Sequence, residues 1–315
     1  MHYKIAFTGL GSIAKRHVRN VCTFLQSRGD NCSIDLYRSS LGRELPEDIA
    51  PLISEQYLFA DPLPVDRQYD AVFVTNPTSM HYETLRRFAA HAKSFFIEKP
   101  VFDSTSVDES IFAQFEGIPC YVACPLRYNP VLQYVKENID PKKVHSARAI
   151  SSSYLPDWRP GQDYRNTYSA HKELGGGVAI DLIHEWDYLT WLFKTPDTLY
   201  TIQTKTSDLE IDTEDVALYI ARADNTTIEL HLDYFGRETM RILQLFMADE
   251  SVECDIVHGT VRYLKSGKVI NFDSERNNYQ FKEIEHFFNI ADKKISSDST
   301  PSHAYAVLKL AKGEI

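Results

Sequence analysis

Residues 5–14 read I-A-F-T-G-L-G-S-I-A: a short apolar run, then Gly9, Gly11 and Ala14 at the spacing G-x-G-x-x-A, opening a stretch of helical periodicity. A dinucleotide pyrophosphate needs a tight turn, close backbone approach and the positive end of a helix. A junction from strand through glycines into helix supplies all three. Alanine is accepted in the third place, where helix and strand pack closely. The periodicity agrees, because Ile13, Val18, Val21, Cys22 and Leu25 recur at roughly helical spacing. Two glycines alone mark many turns, so the junction carries the expectation of a bound nucleotide.

Outward from this junction, short apolar runs alternate with helical patterns, as repeated β-α units do. Strands are expected at residues 4–8, 33–37, 71–75, 94–97 and 120–123, and helices at 13–26, 81–92 and 106–115. The fold class is α/β, with an N-terminal Rossmann domain, a doubly wound parallel sheet. A helix over 130–138 follows, and the texture then changes. V-H-S-A-R-A-I-S-S-S-Y, T-L-Y-T-I-Q-T-K-T, V-A-L-Y-I-A-R-A, T-I-E-L-H-L-D-Y and I-L-Q-L-F-M-A alternate with period two. They predict a C-terminal α/β domain with a large, mostly antiparallel open sheet, solvated on one face. Helices are expected at 177–193, 279–293 and 302–312. Residues 1–125 are read as the Rossmann dinucleotide-binding domain, and 126–315 as a substrate-binding and oligomerisation domain. The open sheet favours a homodimer or homotetramer.

At 315 residues, 43% hydrophobic and 25% charged, the composition is that of a globular protein. No run approaches the ~20 apolar residues of a membrane span, and M-H-Y-K leads directly into the first strand, so no signal peptide and a cytoplasmic location are expected. The net charge of −10 disfavours nucleic acid as a partner. Five cysteines without C-x-x-C spacing suggest neither a disulfide framework nor a zinc site.

The residue ending the second strand of a nucleotide-binding β-α-β unit meets the adenosine ribose. An acid there binds the free 2′-hydroxyl, whereas arginine accommodates a 2′-phosphate. If the strand in C-S-I-D-L-Y-R-S-S ends at Tyr37, that position falls on Arg38, with Ser39 and Ser40 adding hydroxyl donors, and NADP is preferred. If it ends earlier, Asp35 takes the place and the cofactor is NAD.

Two further segments bear on chemistry: F-F-I-E-K-P-V, with Glu98 and Lys99 at a strand end, and G-G-G-V-A-I-D-L-I-H-E-W-D, with Asp181, His184 and Asp187. Together with G-L-G-S-I-A, the N-P-T of Asn76, Pro77 and Thr78 followed by His81, and the R-Y-N-P beginning at Arg127 and Tyr128, they fall in the order of one family. The chain resembles the Gfo/Idh/MocA group, that of glucose-fructose oxidoreductase and inositol dehydrogenase. The resemblance implies a nicotinamide-dependent oxidoreductase acting on a carbohydrate, in which Lys99 is the active-site lysine, Asp181 the conserved acid and His184 the proton relay. It implies a cofactor site from Gly9, Gly11, Ser12, Ile13, Ala14, Arg38, Ser39, Ser40, Thr75, Asn76, Pro77, His81, Glu98 and Lys99. Many members carry D-x-x-x-H, whereas this chain has the shorter D-x-x-H.

Residues three apart on a helix still share a face, so Asp181, His184, Asp187 and Tyr188 are expected to form one polar stripe. Polar groups in so apolar a helix are costly unless paired or used. A metal site there is disfavoured, since H-E-W-D-Y lacks the second histidine of H-E-x-x-H. The stretch 154–174, Y-L-P-D-W-R-P-G-Q-D-Y-R-N-T-Y-S-A-H-K-E-L, offers Tyr154, Trp158, Arg159 and Arg165 to a sugar or its acidic group. Arg127 and Tyr128 are expected in the pocket wall. The pattern is similar to a bacterial branch associated with surface-polysaccharide sugars. The alternatives are a nicotinamide-dependent glycoside hydrolase and a non-catalytic nucleotide sensor.

Overall fold

The computed structural model describes all 315 residues, which fold as two units. The first comprises Met1–Ala123 with Gln280–Tyr305, the second Cys124–Tyr279 with Ala306–Ile315.

In the first unit the chain runs β1 (His2–Thr8), α1 (Ser12–Ser27), β2 (Asn31–Arg38), β3 (Glu55–Leu58), β4 (Ala71–Val74), α2 (His81–Phe88), β5 (Phe95–Ile97) and β6 (Cys120–Val122). The sheet order is β3-β2-β1-β4-β5-β6, parallel throughout. This is the doubly wound order, which reverses between β1 and β4, and ligands of such sheets bind at the carboxyl ends beside that reversal. The A-V-F-V of β4 and F-F-I of β5 are buried throughout, as strands covered on both faces must be. β3 escaped the sequence reading because E-Q-Y-L is a half-exposed edge strand without an apolar run. Residues 109–115 form a 3₁₀ helix, capped by Asp108, in place of the expected α-helix.

The core of this unit is a column of aromatic rings. Phe7 and Phe96 stack on Phe73 at 4.5 and 4.9 Å, and Phe287 meets Phe73 and Phe96 edge-on at 5.2 and 5.4 Å. Phe288 stacks on Phe24 of α1 at 5.5 Å. Burying each such ring contributes about 1.5–3 kcal/mol, which ties Gln280–Tyr305 to the Rossmann sheet. The sequence division had placed this whole segment with residues 126–315. An amphipathic helix does not encode which apolar surface it covers.

The second unit carries α3 (Pro130–Asn138), β7 (Val144–Tyr154), α4 (Val178–Asp181), α5 (His184–Phe193), β8 (Thr198–Thr204), β9 (Val216–Ala223), β10 (Thr226–Asp233), β11 (Phe235–Met247), β12 (Ser251–Asp255), β13 (Thr260–Tyr263) and β14 (Val269–Asn271). Two helices, α6 (Arg276–Ala291) and α7 (Pro301–Ala311), end the chain. The eight strands form one sheet, β14-β13-β12-β11-β7-β10-β9-β8, in which only β7 and β10 pair in parallel. Alternation sorts its faces: Ala217, Tyr219 and Ala221 of β9 are buried, with Trp186 of α5 edge-on to Tyr219 at 5.3 Å, while Ile220 points outward. Tyr200 and Ile202 of β8 are likewise exposed.

One expectation fails here. The helix foreseen over 177–193 breaks at Leu182, whose φ and ψ of −99° and 28° end α4 before α5 starts at His184. Val178, Ala179, Ile180, Leu182, Ile183 and Trp186 are all buried, more apolar positions than one stripe of a straight helix holds. The single polar stripe therefore does not exist.

Candidate active site

In the first unit the fingerprint glycines differ in their physical demands. Gly9 has φ of 83°, a side chain there would sit 3.0 Å from the Asn76 Cα, and its N–H donates to the Tyr37 carbonyl at 2.8 Å. It is a turn locked between β2 and the end of β4. Gly11 has extended backbone, and a Cβ on it would meet nothing within 4 Å. Nothing in the chain itself requires glycine at this position, and the open space leaves the backbone accessible to close approach. Gly11 caps α1 without a side-chain bond, and no acid lies in the first turn, so the amides that follow, at Ser12, Ile13 and Ala14, face an anion's requirements. These features fit a dinucleotide's pyrophosphate.

β2 extends to Arg38, whose guanidinium donates to Gln56 Oε1 at 2.7 Å, followed by exposed Ser39 and Ser40. Asp35 lies inside the strand, buried, accepting the Tyr69 hydroxyl at 2.8 Å with Arg67 3.8 Å away. It is part of the core and does not end the strand.

Beyond β4, the Thr75 hydroxyl donates to the Thr8 carbonyl at 2.9 Å and the Asn76 amide to Thr84 at 2.7 Å, while Asn76 Oδ1 is buried without a partner. Pro77 then leads into a short 3₁₀ turn before α2. His81, the first residue of α2, is buried with Nε2 3.1 Å from the Asn76 carbonyl and Nδ1 3.1 Å from that of Pro100. At the end of β5, Glu98 bonds His17 Nε2 at 2.6 Å and accepts the Lys99 backbone N–H at 3.2 Å. Burial alone would raise the Glu98 carboxyl, but the His17 hydrogen bond and the charges of His17 and Lys99 hold it below its ordinary value. His17 went unnoticed in the sequence. Its signal was a histidine on the buried face of α1, between Ala14 and Val18.

Burial lowers the His81 pKa below its ordinary value despite the surrounding carbonyls. The unfolded chain then takes up a proton as pH falls through about 6.5 while the folded chain does not. The stability owed to neutral His81 is therefore complete above that pH and declines below it. Between pH 6.5 and 5 the urea midpoint should fall less steeply in His81→Gln than in the unaltered protein. Parallel slopes would remove His81 from the account.

In the second unit, Asp181 ends α4 and accepts the buried Tyr234 hydroxyl at 2.6 Å. The Tyr168 hydroxyl bonds the same carboxylate, and desolvation of the two hydroxyls followed by the Asp181 charge raises both phenols above their ordinary value. The triple glycine prepares this arrangement. A side chain at Gly176 would strike the Tyr168 and Ser169 carbonyls, and one at Gly177, where φ is 126°, would strike the Glu214 carboxylate. Burial raises the Glu214 carboxyl, which accepts the Ala179 N–H at 3.4 Å.

His184, half-buried, opens α5, whose first turn is tied at two points. Buried Glu185 accepts Arg241 Nε at 2.5 Å, and Asp187 takes both Arg127 Nε and Nη2 at 2.9 and 2.7 Å. Arg127 is 1% exposed. A guanidinium so buried and so paired holds α5 in place, so the expected substrate contact of Arg127 is corrected to a structural one. Asp187 is equally committed, which removes it from any metal set with Asp181 and His184. Half-buried Tyr128 shares the turn Pro125–Tyr128 with Arg127.

The loop after β7 divides similarly. Trp158 donates to Ser153 Oγ at 2.9 Å and lies edge-on to Tyr234 at 5.2 Å, so its ring backs the tyrosine that holds Asp181. Arg159 lies over Tyr168 at 5.2 Å. Arg165 is paired with Asp163 and Glu210, both at 2.8 Å, which leaves it little to offer a substrate anion. Tyr154 lies beneath Arg237, 3.8 Å from guanidinium carbon to ring centre. Tyr234, Glu214, the Glu185–Arg241 pair and Arg237 were not singled out in the sequence. Tyr234 closes the alternating run T-I-E-L-H-L-D-Y, and Arg237 lies just beyond it.

Comparisons with known proteins agree with both halves. Residues 3–112 match the family model described as "Oxidoreductase family, NAD-binding Rossmann fold", and residues 132–243 that described as "GFO/IDH/MocA C-terminal domain". The scyllo-inositol 2-dehydrogenase (NAD(+)) of Bacillus subtilis (strain 168) is 26% identical over 196 residues, 60% of this chain and 53% of that protein. The chain spans about half the length of the curated relatives it matches. Among solved structures, UDP-N-acetylglucosamine 3-dehydrogenase GnnA from Acidithiobacillus ferrooxidans superposes with a TM-score of 0.79 at 18% identity, covering 100% of this chain and 97% of its own. An Agrobacterium radiobacter oxidoreductase in complex with NAD+, L-tartaric acid and magnesium gives 0.78 at 16%, covering 100% and 95%. At such identities the superpositions establish the fold alone.

Proposed function

This chain belongs to the GFO/IDH/MocA oxidoreductase family, and from that premise we propose that it moves a hydride between a nicotinamide dinucleotide and a C–OH carbon of a sugar, sugar acid or activated sugar. The observation that carries the reading is the turn at Gly9 and Gly11, with its open space and uncapped helix, at the reversal of the parallel sheet. The bound dinucleotide supplies the hydride acceptor or donor. Gly9 to Ala14 hold its pyrophosphate, and Thr75, Asn76, Pro77 and His81 shape the wall beside it. His184 takes the proton of the substrate hydroxyl in oxidation and returns it in reduction, a task suited to an imidazole. Lys99 donates a hydrogen bond to the reacting oxygen or the cofactor ribose and stabilises charge developing there. Asp181, fixed by Tyr234, orients the substrate hydroxyls.

The test is a thermal-shift screen with NAD and NADP, followed by cofactor reduction with hexoses, uronic acids, inositols and nucleotide sugars. Sugar-dependent net reduction supports the reading. Glycoside cleavage without net reduction would replace it with a hydrolase, and binding without turnover with a nucleotide sensor.

The cofactor of choice is NADP, supported by Arg38 at the end of β2 and by the commitment of Asp35 to Tyr69. A charge-assisted bond to phosphate contributes about 1.5–3 kcal/mol, so Arg38→Asp should shift the NADP to NAD ratio of kcat/KM toward NAD by roughly ten- to a hundredfold. An unchanged ratio would discard the assignment.

A further inference from the structure

We propose that the second unit carries a subsite for an anionic group on a sugar, built on Arg237 and Tyr154. A cavity of about 390 Å³ in this unit is lined by Tyr154, Tyr164, Ser207, Asp208, Phe235 and Arg237 among others. That volume lies within the range of small-molecule sites, and three aromatic walls suit a ring.

Arg237 reaches the cavity through a built irregularity. β11 pairs with β7 at Phe235 opposite Tyr154, and regular pairing resumes at Met240 opposite Ser152. Residues 236–239 thus stand against Ser153 alone, a bulge of the kind that re-aims side chains. Two features hold it. Asp233 Oδ1 accepts the N–H groups of Phe235 and Gly236 at 3.1 and 2.8 Å and the Ser152 hydroxyl at 3.0 Å. At Gly236 a Cβ would overlap Ser152 Oγ, so a larger residue there would displace that hydroxyl from Asp233.

The guanidinium so delivered lies over the Tyr154 ring and makes no ion pair, although Asp208 lines the same cavity. By contrast, Arg165, Arg148 and Arg241 of the same unit are each held by a carboxylate. Like Arg159 over Tyr168, exposed Arg237 is an arginine on an aromatic ring with no carboxylate partner, in a chain of net charge −10. Planar forks of this kind match carboxylate and phosphate oxygens. The cavity is also adjacent in sequence to the candidate acid: Phe235 follows Tyr234, which bonds Asp181. The inference rests on the oxidoreductase reading for the sugar's orientation, with its reacting hydroxyl toward Asp181 and its anionic group toward Arg237. The anion is a carboxylate, as on a uronic acid, or a phosphate, as on an activated sugar.

The test measures binding, which needs no turnover. Full-length protein is titrated calorimetrically with glucose, glucuronate, glucose 1-phosphate and inorganic phosphate. At least one charged sugar should bind about tenfold or more tightly than glucose, and which one does so identifies the anion. Arg237→Gln should abolish that advantage, Arg237→Lys should keep part of it, and dinucleotide affinity should be unchanged in both. Equal binding of charged sugars by Arg237→Gln and the unaltered protein would overturn the proposal, as would charged sugars binding no better than glucose. A failed dehydrogenase assay with the binding difference intact would instead sink the oxidoreductase reading and leave the subsite.

Discussion

Lys99→Met is expected to lower kcat by roughly 10²- to 10⁴-fold, the range for removing a positioned group that stabilises developing charge or assists proton transfer. Dinucleotide affinity should persist. Lys99 follows β5, with its own N–H bound to Glu98, which is in turn bonded to His17 on α1. Methionine keeps the length and packing of the stem while deleting the ammonium, and these two bonds to Glu98 are made by the Lys99 backbone N–H and the His17 ring, not by the ammonium. The glycine turn, between β1 and α1, is equally independent. The expected pattern is thus loss of turnover with an unchanged dissociation constant, read by single-turnover kinetics beside fluorescence titration of the reduced cofactor. Near-normal turnover would refute the role given to Lys99, whereas loss of binding would make it a cofactor residue only.

Asp187→Ala should cost about 3–5 kcal/mol of stability, because it strips the bidentate carboxylate from a buried guanidinium. Asp187 would have passed for a third member of a polar stripe, and its loss would then be cheap. The structure makes it the partner of Arg127. Replacing both, as Arg127→Met with Asp187→Leu, should restore much of the loss, since an apolar pair of similar volume avoids burying charge at all. Chemical denaturation of the two single variants and the double variant measures this as a cycle. If the single variant is destabilised by less than about 1 kcal/mol, the pair is not the anchor of α5.

These two residues also show where the sequence was legible. Lys99 was singled out because E-K-P at a strand end belongs to an ordered set of local motifs. Asp187 was misread because its partner lies 60 residues away. The same holds for Glu185 with Arg241, 56 residues apart, and Asp181 with Tyr234, 53 apart. No periodicity joins such positions.

The break between Asp181 and His184 is a further instance. Helical spacing counts residues along a straight axis and places the two side chains on one face. Six buried apolar residues around them compete for that axis, and the chain bends at Leu182 to bury them all. Which of two allowed local conformations is adopted was settled by packing.

By itself the sequence determined the β-α alternation of the first unit, the glycine turn and the alternating second sheet, because each follows from backbone geometry and burial over a few neighbouring residues. Only the tertiary structure decided that Arg127 is a strut, that Asp35 belongs to the core, that Gln280–Tyr305 completes the first unit, and that Arg237 is left with open donors. Such outcomes depend on which distant group reaches a charge or an apolar face first, and that is a property of the folded chain's packing, which no short stretch of sequence carries.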